Sequence, residues 1–131
     1  LEAIGNMREE LLPKWEVSEM FGIEKNDGLQ WVLNQVYQTF DNEELYPSIQ
    51  EKAAAIIYFT IKNHPFIDGN KKIGAFLLLV FLAKNNFLYK NDWEKIIDDD
   101  TLIALTLLIS TSDSGEKEMI LKLVASFLNK G

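Results

Sequence analysis

The residues best suited to chemistry lie in one short stretch, His64-Pro65-Phe66-Ile67-Asp68-Gly69-Asn70-Lys71-Lys72, which holds the only histidine of the chain. An imidazole titrating near pH 6.5 can take a proton from a hydroxyl at neutral pH. Asp68, a single carboxylate among lysines, suits Mg²⁺ shared with phosphate oxygens. Gly69 permits close backbone approach, and a helix starting at this point would aim its unpaired N–H groups and positive dipole end outward. With the ammonium groups of Lys71 and Lys72 added, the stretch fits an anion of the phosphate class. Between Lys62 and Lys72 the balance is +2, an island in a chain of net charge −7. Together, phosphate cradle, metal-binding carboxylate and general base are the parts needed to move a phosphorus-containing group onto an alcohol. Taken singly, each has a plainer reading: a histidine capping a helix, Asp-Gly-Asn as a turn, lysines solvated at the surface. Their coincidence within nine residues carries the argument.

Helices must position this stretch. Leu29, Val32, Leu33 and Val36 recur at spacings of three and four, one apolar face of a helix over Leu29 to Tyr37. Shorter helices are expected upstream at Met7 to Leu12, stopped by Pro13, and at Val17 to Ile23. The segment from Thr39 to Ser48 holds Asp41, Asn42, Glu43, Glu44 and Pro47 without a basic residue, an exposed loop or small hairpin. Ser48 and Glu51 form a capping-box pair opening a helix that ends near Asn63, because Pro65 disfavours a helical residue before it. After the polar connection an apolar helix runs from Lys71 to about Asn85 and should cross the middle of the bundle. Asp92 to Lys95, Thr101 to Ile109 and Glu116 to Leu128 complete the expected helices. The predicted class is all-α, a compact bundle around a central apolar helix.

Composition narrows the field further. The 131 residues suit one domain, 1–131, and 47% apolar with 25% charged is a globular balance. The acidic excess argues against a nucleic-acid partner or an anionic membrane surface. No cysteine means no disulfide, thiol nucleophile or cysteine-metal site, and the cytoplasm is the expected compartment. The longest apolar run, Ile73 to Ala83, is half of the roughly 20 residues a membrane span requires. Because the chain begins at Leu1, it is expected to be processed or cut from a longer protein, with an upstream regulatory segment outside it.

The stretch His64 to Lys72 resembles the motif of the Fic/Doc family, His-x-Phe-x-Asp/Glu-Gly/Ala-Asn-Gly/Lys-Arg, at eight of nine positions. The likeness extends over about residues 29–89, where an acidic loop, a helix into the motif and an apolar helix out of it occur in the family's order. The resemblance implies a Fic-like helical bundle that transfers AMP, or another nucleoside monophosphate, from ATP or another nucleoside triphosphate to a protein Ser, Thr or Tyr hydroxyl. In the Doc branch the γ-phosphate travels instead. It also implies roles: His64 as base, Phe66 buried to support the loop, Asp68 on Mg²⁺, and Gly69, Asn70, Lys71 and Lys72 on the phosphates, the Asn70 side chain donating to a phosphate oxygen. Thr39, Phe40, Asp41, Asn42, Glu43, Glu44, Leu45 and Tyr46 would form the β-hairpin flap that docks the target segment.

Three departures stand out. Lys71 is the Doc-like residue where Fic proper has Gly. Lys72 replaces Arg, keeping charge but losing the planar two-pronged grip. Ala75 occupies the place of a second Arg that anchors the nucleotide's terminal phosphate in Fic proper. Ser112 to Glu116 has the spacing of the family's inhibitory helix, but Lys117 follows, so Glu116 is expected to be an ordinary first-turn residue of the last helix. Restraint would then come from a separate antitoxin, as in a toxin–antitoxin pair, or from an upstream segment. A catalytically decayed interaction module of the same fold is the reading from outside the enzyme class.

Overall fold

The computed structural model describes Lys25 and residues 27–129. Among them are five α-helices and one hairpin: α1 (Gly28–Val36), β1 (Thr39–Phe40), β2 (Glu43–Glu44), α2 (Ile49–Asn63), α3 (Asn70–Lys84), α4 (Asp99–Thr111) and α5 (Lys117–Ser126), the last preceded by a 3₁₀ turn at Ser114–Glu116. The helices expected at 7–12 and 17–23 lie outside the described residues. The fold is all-α with a small antiparallel hairpin, as its patterning predicts.

The helix at the centre is α2, not α3. Every residue of α2 from Lys52 to Ile61 is buried, and α2 packs against α1, α3, α4 and α5. Ala53, Ala54 and Ala55 let its neighbours approach closely, while Ile57 and Ile61 fill the space between them. α3 packs on α2 and α4, and Leu77, Leu79, Val80 and Phe81 stay half-buried. Its all-round apolar character therefore exceeds the burial it finds among the described residues. Gly74, where the two helices meet, sets an added Cβ only 3.4 Å from Thr60 and Ile61.

Helix ends follow local chemistry. Ser48 Oγ accepts from Glu51 N–H at 3.0 Å and Glu51 Oε1 from Ser48 N–H at 3.3 Å, the reciprocal box that starts α2. Asp98 caps α4 by accepting from Thr101 N–H at 2.7 Å, so α4 begins ahead of Thr101 and runs past Ile109 to Thr111. No helix forms at 92–95. The Asn91 side chain accepts from the N–H groups of Trp93 at 3.2 Å and Glu94 at 3.0 Å, and Tyr89 bridges to Lys95. A side-chain turn has taken the amides a helix would need. Glu116 ends the 3₁₀ turn and is the N-cap of α5, not a residue of its first turn, and its carboxylate accepts from Asp113 N–H at 2.8 Å.

The hairpin pairs Thr39 with Glu44 and Phe40 with Glu43 across Asp41 and Asn42, both at positive φ (55° and 65°). Two such residues suit a tight hairpin turn, which Asp and Asn tolerate better than most. What ties it down is Lys52, only 8% exposed. Its ammonium donates to Glu44 Oε2 at 2.8 Å and to the carbonyls of Tyr46 and Pro47, and lies 5.5 Å from the centre of the Tyr37 ring. Lys52→Met should leave those carbonyls without their charged donor. It is expected to lower stability in urea unfolding by about 2 kcal/mol, while the exposed Lys71→Met changes it by less than about 0.5.

Candidate functional site

The site is built where α2 stops and α3 starts. His64 ends α2 in the left-handed region, φ 49° and ψ 57°, a conformation a non-glycine residue adopts only when its surroundings enforce it. Pro65 then precludes further helix. Phe66 turns inward and is 0% exposed, packed with Ile73 and Phe76 of α3 and flanked by Leu29, Leu77 and Val80. Asn70 locks the turn: Phe66 N–H donates to Asn70 Oδ1 at 3.0 Å, and Asn70 Nδ2 donates to Phe66 C=O at 2.9 Å. Gly69 is the N-cap of α3 at φ 87°, a backbone value that favours glycine. Gly69 has no side chain with which to cap α3, and the first amides of the helix point toward the space in front of them.

That space is a cavity of about 390 Å³ lined by Ile61, His64, Ile67, Asp68, Gly69, Asn70, Lys71, Lys72 and Ser110. His64 and Asp68 are exposed, as is Lys71, while Lys72 is half-buried. Neither Lys71 nor Lys72 has an ion-pair partner among the described residues. The donor set is therefore two ammonium groups and helix-start amides, which can hold an anion, with one imidazole and one carboxylate beside them. Among the described residues no three His, Asp or Glu side chains gather into a metal cage. Asp68 can offer a hard cation one carboxylate, the arrangement that leaves the remaining positions to water and ligand oxygens.

The structure redistributes several expected roles. His64, Asp68, Gly69, Lys71 and Lys72 come together as anticipated, and Phe66 is buried beneath them. Asn70 lines the cavity but is only 8% exposed; its Oδ1 and one Nδ2 hydrogen are engaged with Phe66, which leaves the second Nδ2 hydrogen as a donor. Lys62 leaves the basic island, because its ammonium donates to the Ser112 carbonyl at the end of α4. The expected flap, Thr39, Phe40, Asp41, Asn42, Glu43, Glu44, Leu45 and Tyr46, contributes no residue to the cavity wall. It is anchored at the opposite end of α2, where Lys52 stands twelve residues, about 18 Å of helix, from His64.

Beside the motif turn stand Lys25 and Gly28. Lys25 N–H donates to Pro65 C=O at 2.7 Å and Gly28 N–H to Lys25 C=O at 2.9 Å. A Cβ on Gly28 would sit 2.6 Å from the Cα, Cβ and O of Pro65. The Gly preceding a periodic helix was visible in the sequence; its long-range partner was not. Ser110, Ile61 and Ile67 had no local signal at all.

The sequence model of the Fic/DOC family matches residues 2–82. The chain belongs to the Fic/DOC family. The match takes in α1, the hairpin, α2, the motif turn and most of α3. It reaches upstream of residue 29, so the family region begins earlier than the motif-centred resemblance suggests. It ends before α4 and α5. No curated protein and no solved structure matches the chain. Members of the family are in general transferases, and no helix among the described residues is long and apolar enough to cross a membrane.

Two substitutions test how the turn is held. Asn70→Leu keeps the volume but leaves the buried N–H and C=O of Phe66 unpaired, and is expected to cost about 3 kcal/mol in urea unfolding. Gly28→Ala forces Pro65 to move and should cost about 1–3 kcal/mol. Both should displace the His64 ring resonances in NMR spectra, whereas Lys71→Met should leave them in place.

Proposed function

We propose that this member of the Fic/DOC family moves a phosphorus-containing group from a nucleoside triphosphate to a protein hydroxyl, and that the travelling group is the γ-phosphate. The observation carrying the choice is Ala75, the position of the second phosphate anchor in an AMP transferase. It is 0% exposed and packed in the core. With AMP travelling, the terminal phosphates would be the leaving group and would need a cation there; a buried methyl offers none. The two available cations, Lys71 and Lys72, stand together at the start of α3 beside Asp68 and His64. They support a terminal phosphate held next to the base.

In this reading Lys72 and Lys71 hold phosphate oxygens with the first amides of α3. Asp68 holds Mg²⁺, which when bound neutralises phosphate charge. His64 takes the proton of the target hydroxyl as its oxygen bonds to the γ-phosphorus; the bond from that phosphorus to the bridging oxygen breaks and ADP departs. Phe66 and Asn70 keep the imidazole and carboxylate in register. The partner is a protein presenting a Ser, Thr or Tyr side chain. An antitoxin chain or an upstream segment would restrain the reaction by covering the cavity.

Incubation with ATP labelled at the α or the γ position, in the presence of cell extract, tests the assignment. Label should reach protein from the γ position, and His64→Ala should reduce it at least about 100-fold without weakening nucleotide binding. Transfer of the α label would reverse the choice in favour of AMP. Lys72→Met should weaken MgATP binding by about 10-fold or more in calorimetry. A wild-type chain that binds no MgATP at millimolar concentration would leave only an interaction module with this fold.

A further inference from the structure

Beyond residue 82, where the family match ends, the chain adds two helices, α4 and α5. Each buries one face: Leu102, Leu105 and Ile109 of α4, and Ile120, Leu121 and Val124 of α5. Their opposite faces are not the charged surfaces that such helices ordinarily turn to water. From Thr101 to Ser112 the sequence has no charged residue, and the outer side of α4 offers Leu107 and Leu108 to solvent. On α5 and its C-cap, Met119, Leu123 and Phe127 recur every four residues as a second apolar stripe. These five side chains are 39% to 59% exposed.

The two stripes form one surface. Phe127 shares a cavity with Asp99 and Thr101, and the connection 112–116 joins the other ends, so α4 and α5 lie side by side and antiparallel. The far side of α5 is taken by the hairpin, where Leu121, Lys122 and Ala125 line a groove with Leu45 and Tyr46. Leu123 and Phe127 therefore border α4. Trp93, 81% exposed, stands on the wall of the Phe127 cavity and extends the patch.

Charge and area choose the occupant. The chain carries −7, and a twofold contact sets a patch against its own copy, so any net charge on the patch is met by its like. Here the bordering charges are cancelled within the chain: Lys90 lies 3.7 Å from Glu94, Lys95 3.4 Å from Asp99 and Lys117 4.0 Å from Glu118. Asp100 and Asp113 stand at the two ends of α4, away from the middle of the face. At roughly 200 Å² for a large side chain, the six exposed residues leave about 600 Å² in water, and two such patches about 1,200 Å², the size at which specific interfaces begin. We infer that two copies of this chain associate through the α4–α5 face, with Trp93 and Leu123 among the side chains buried between them.

Sedimentation velocity of the full chain between about 1 and 200 µM tests this, and the wild type should pass from monomer to dimer with a dissociation constant on the order of 10 µM. Trp93→Ala and Leu123→Glu should each raise that constant at least about tenfold, the first by removing a large anchor and the second by setting a charge against its twin. Phe40→Ala, on the exposed hairpin, should leave it unchanged. Far-UV circular dichroism reports whether each variant keeps its fold. Because the chain has no cysteine, Met119→Cys supplies a single thiol that reads the face without adding charge. It should react with a maleimide at least about threefold more slowly at the upper concentration than at the lower. Should Trp93→Ala or Leu123→Glu unfold the chain, the thiol decides alone. A monomer throughout the range overturns the proposal, and so does a dimer that survives both substitutions, which must use another face. Labelling at one unchanging rate overturns it too: a fast rate leaves the face open, and a slow one means that another part of the chain covers it.

Discussion

The geometry of the site rests on the pair of hydrogen bonds between the Asn70 side chain and the backbone of Phe66. A chain leaving one helix and entering another within a few residues must expose His64 and Asp68 while burying Phe66, and it must do so with a histidine in the left-handed region. That conformation costs about 1–2 kcal/mol. Burying the Phe66 ring contributes about 2–3 kcal/mol and the Asn70 bonds about 1 kcal/mol each. The anchoring side of the balance is the larger, so the strained histidine persists. Pro65 is held separately, by the Lys25 amide and by the absence of a side chain on Gly28. The restraints thus fall on Pro65 and Phe66, the two residues after His64, and fix the turn that carries the imidazole.

Charge along α2 and α3 is best understood by asking where each ammonium is spent. Lys52 and Lys62 are both carried by α2, and both serve architecture: the first draws the hairpin and the 46–47 carbonyls onto the bundle, the second ties down the end of α4. Lys71 and Lys72 have no such employment among the described residues. A count of formal charge along the sequence cannot separate these cases, because a lysine near a carbonyl-rich helix end and a lysine facing open space have the same composition. The pair without partners among the described residues is smaller than the island of three that the sequence contains.

Local signals in this sequence are legible and long-range ones are not. The Ser48–Glu51 box, the stop enforced by Pro65 and the glycine before α3 are decided within a few residues, and the helices and the motif turn were legible for that reason. The hairpin is legible as an acidic break before Ser48, whereas Lys52, which holds it through Glu44 and the Tyr46 and Pro47 carbonyls, is not. Asn91 defeated the helix expected at 92–95 by taking two of its amides, a competition that amphipathic spacing does not report. Hydropathy alone points to α3 as the centre of the bundle, whereas among the described residues α2 is the more deeply buried helix. α3 is apolar on all sides, yet the alanines of α2 permit the closer approach, and closeness decides which helix is surrounded.

The division between the family-matched part and α4 has a physical logic. Groups that share one anion and one proton must keep sub-ångström relations, and the surest way to preserve them is to place them on one turn with its own hydrogen-bonded lock. The helix that follows, α4, is tied to the motif end of α2 by Lys62, whose ammonium donates to the Ser112 carbonyl, and so closes one side of the same cavity. Residues such as Ser110, which carry no motif and no local signal, become visible only when the fold brings them to the cavity.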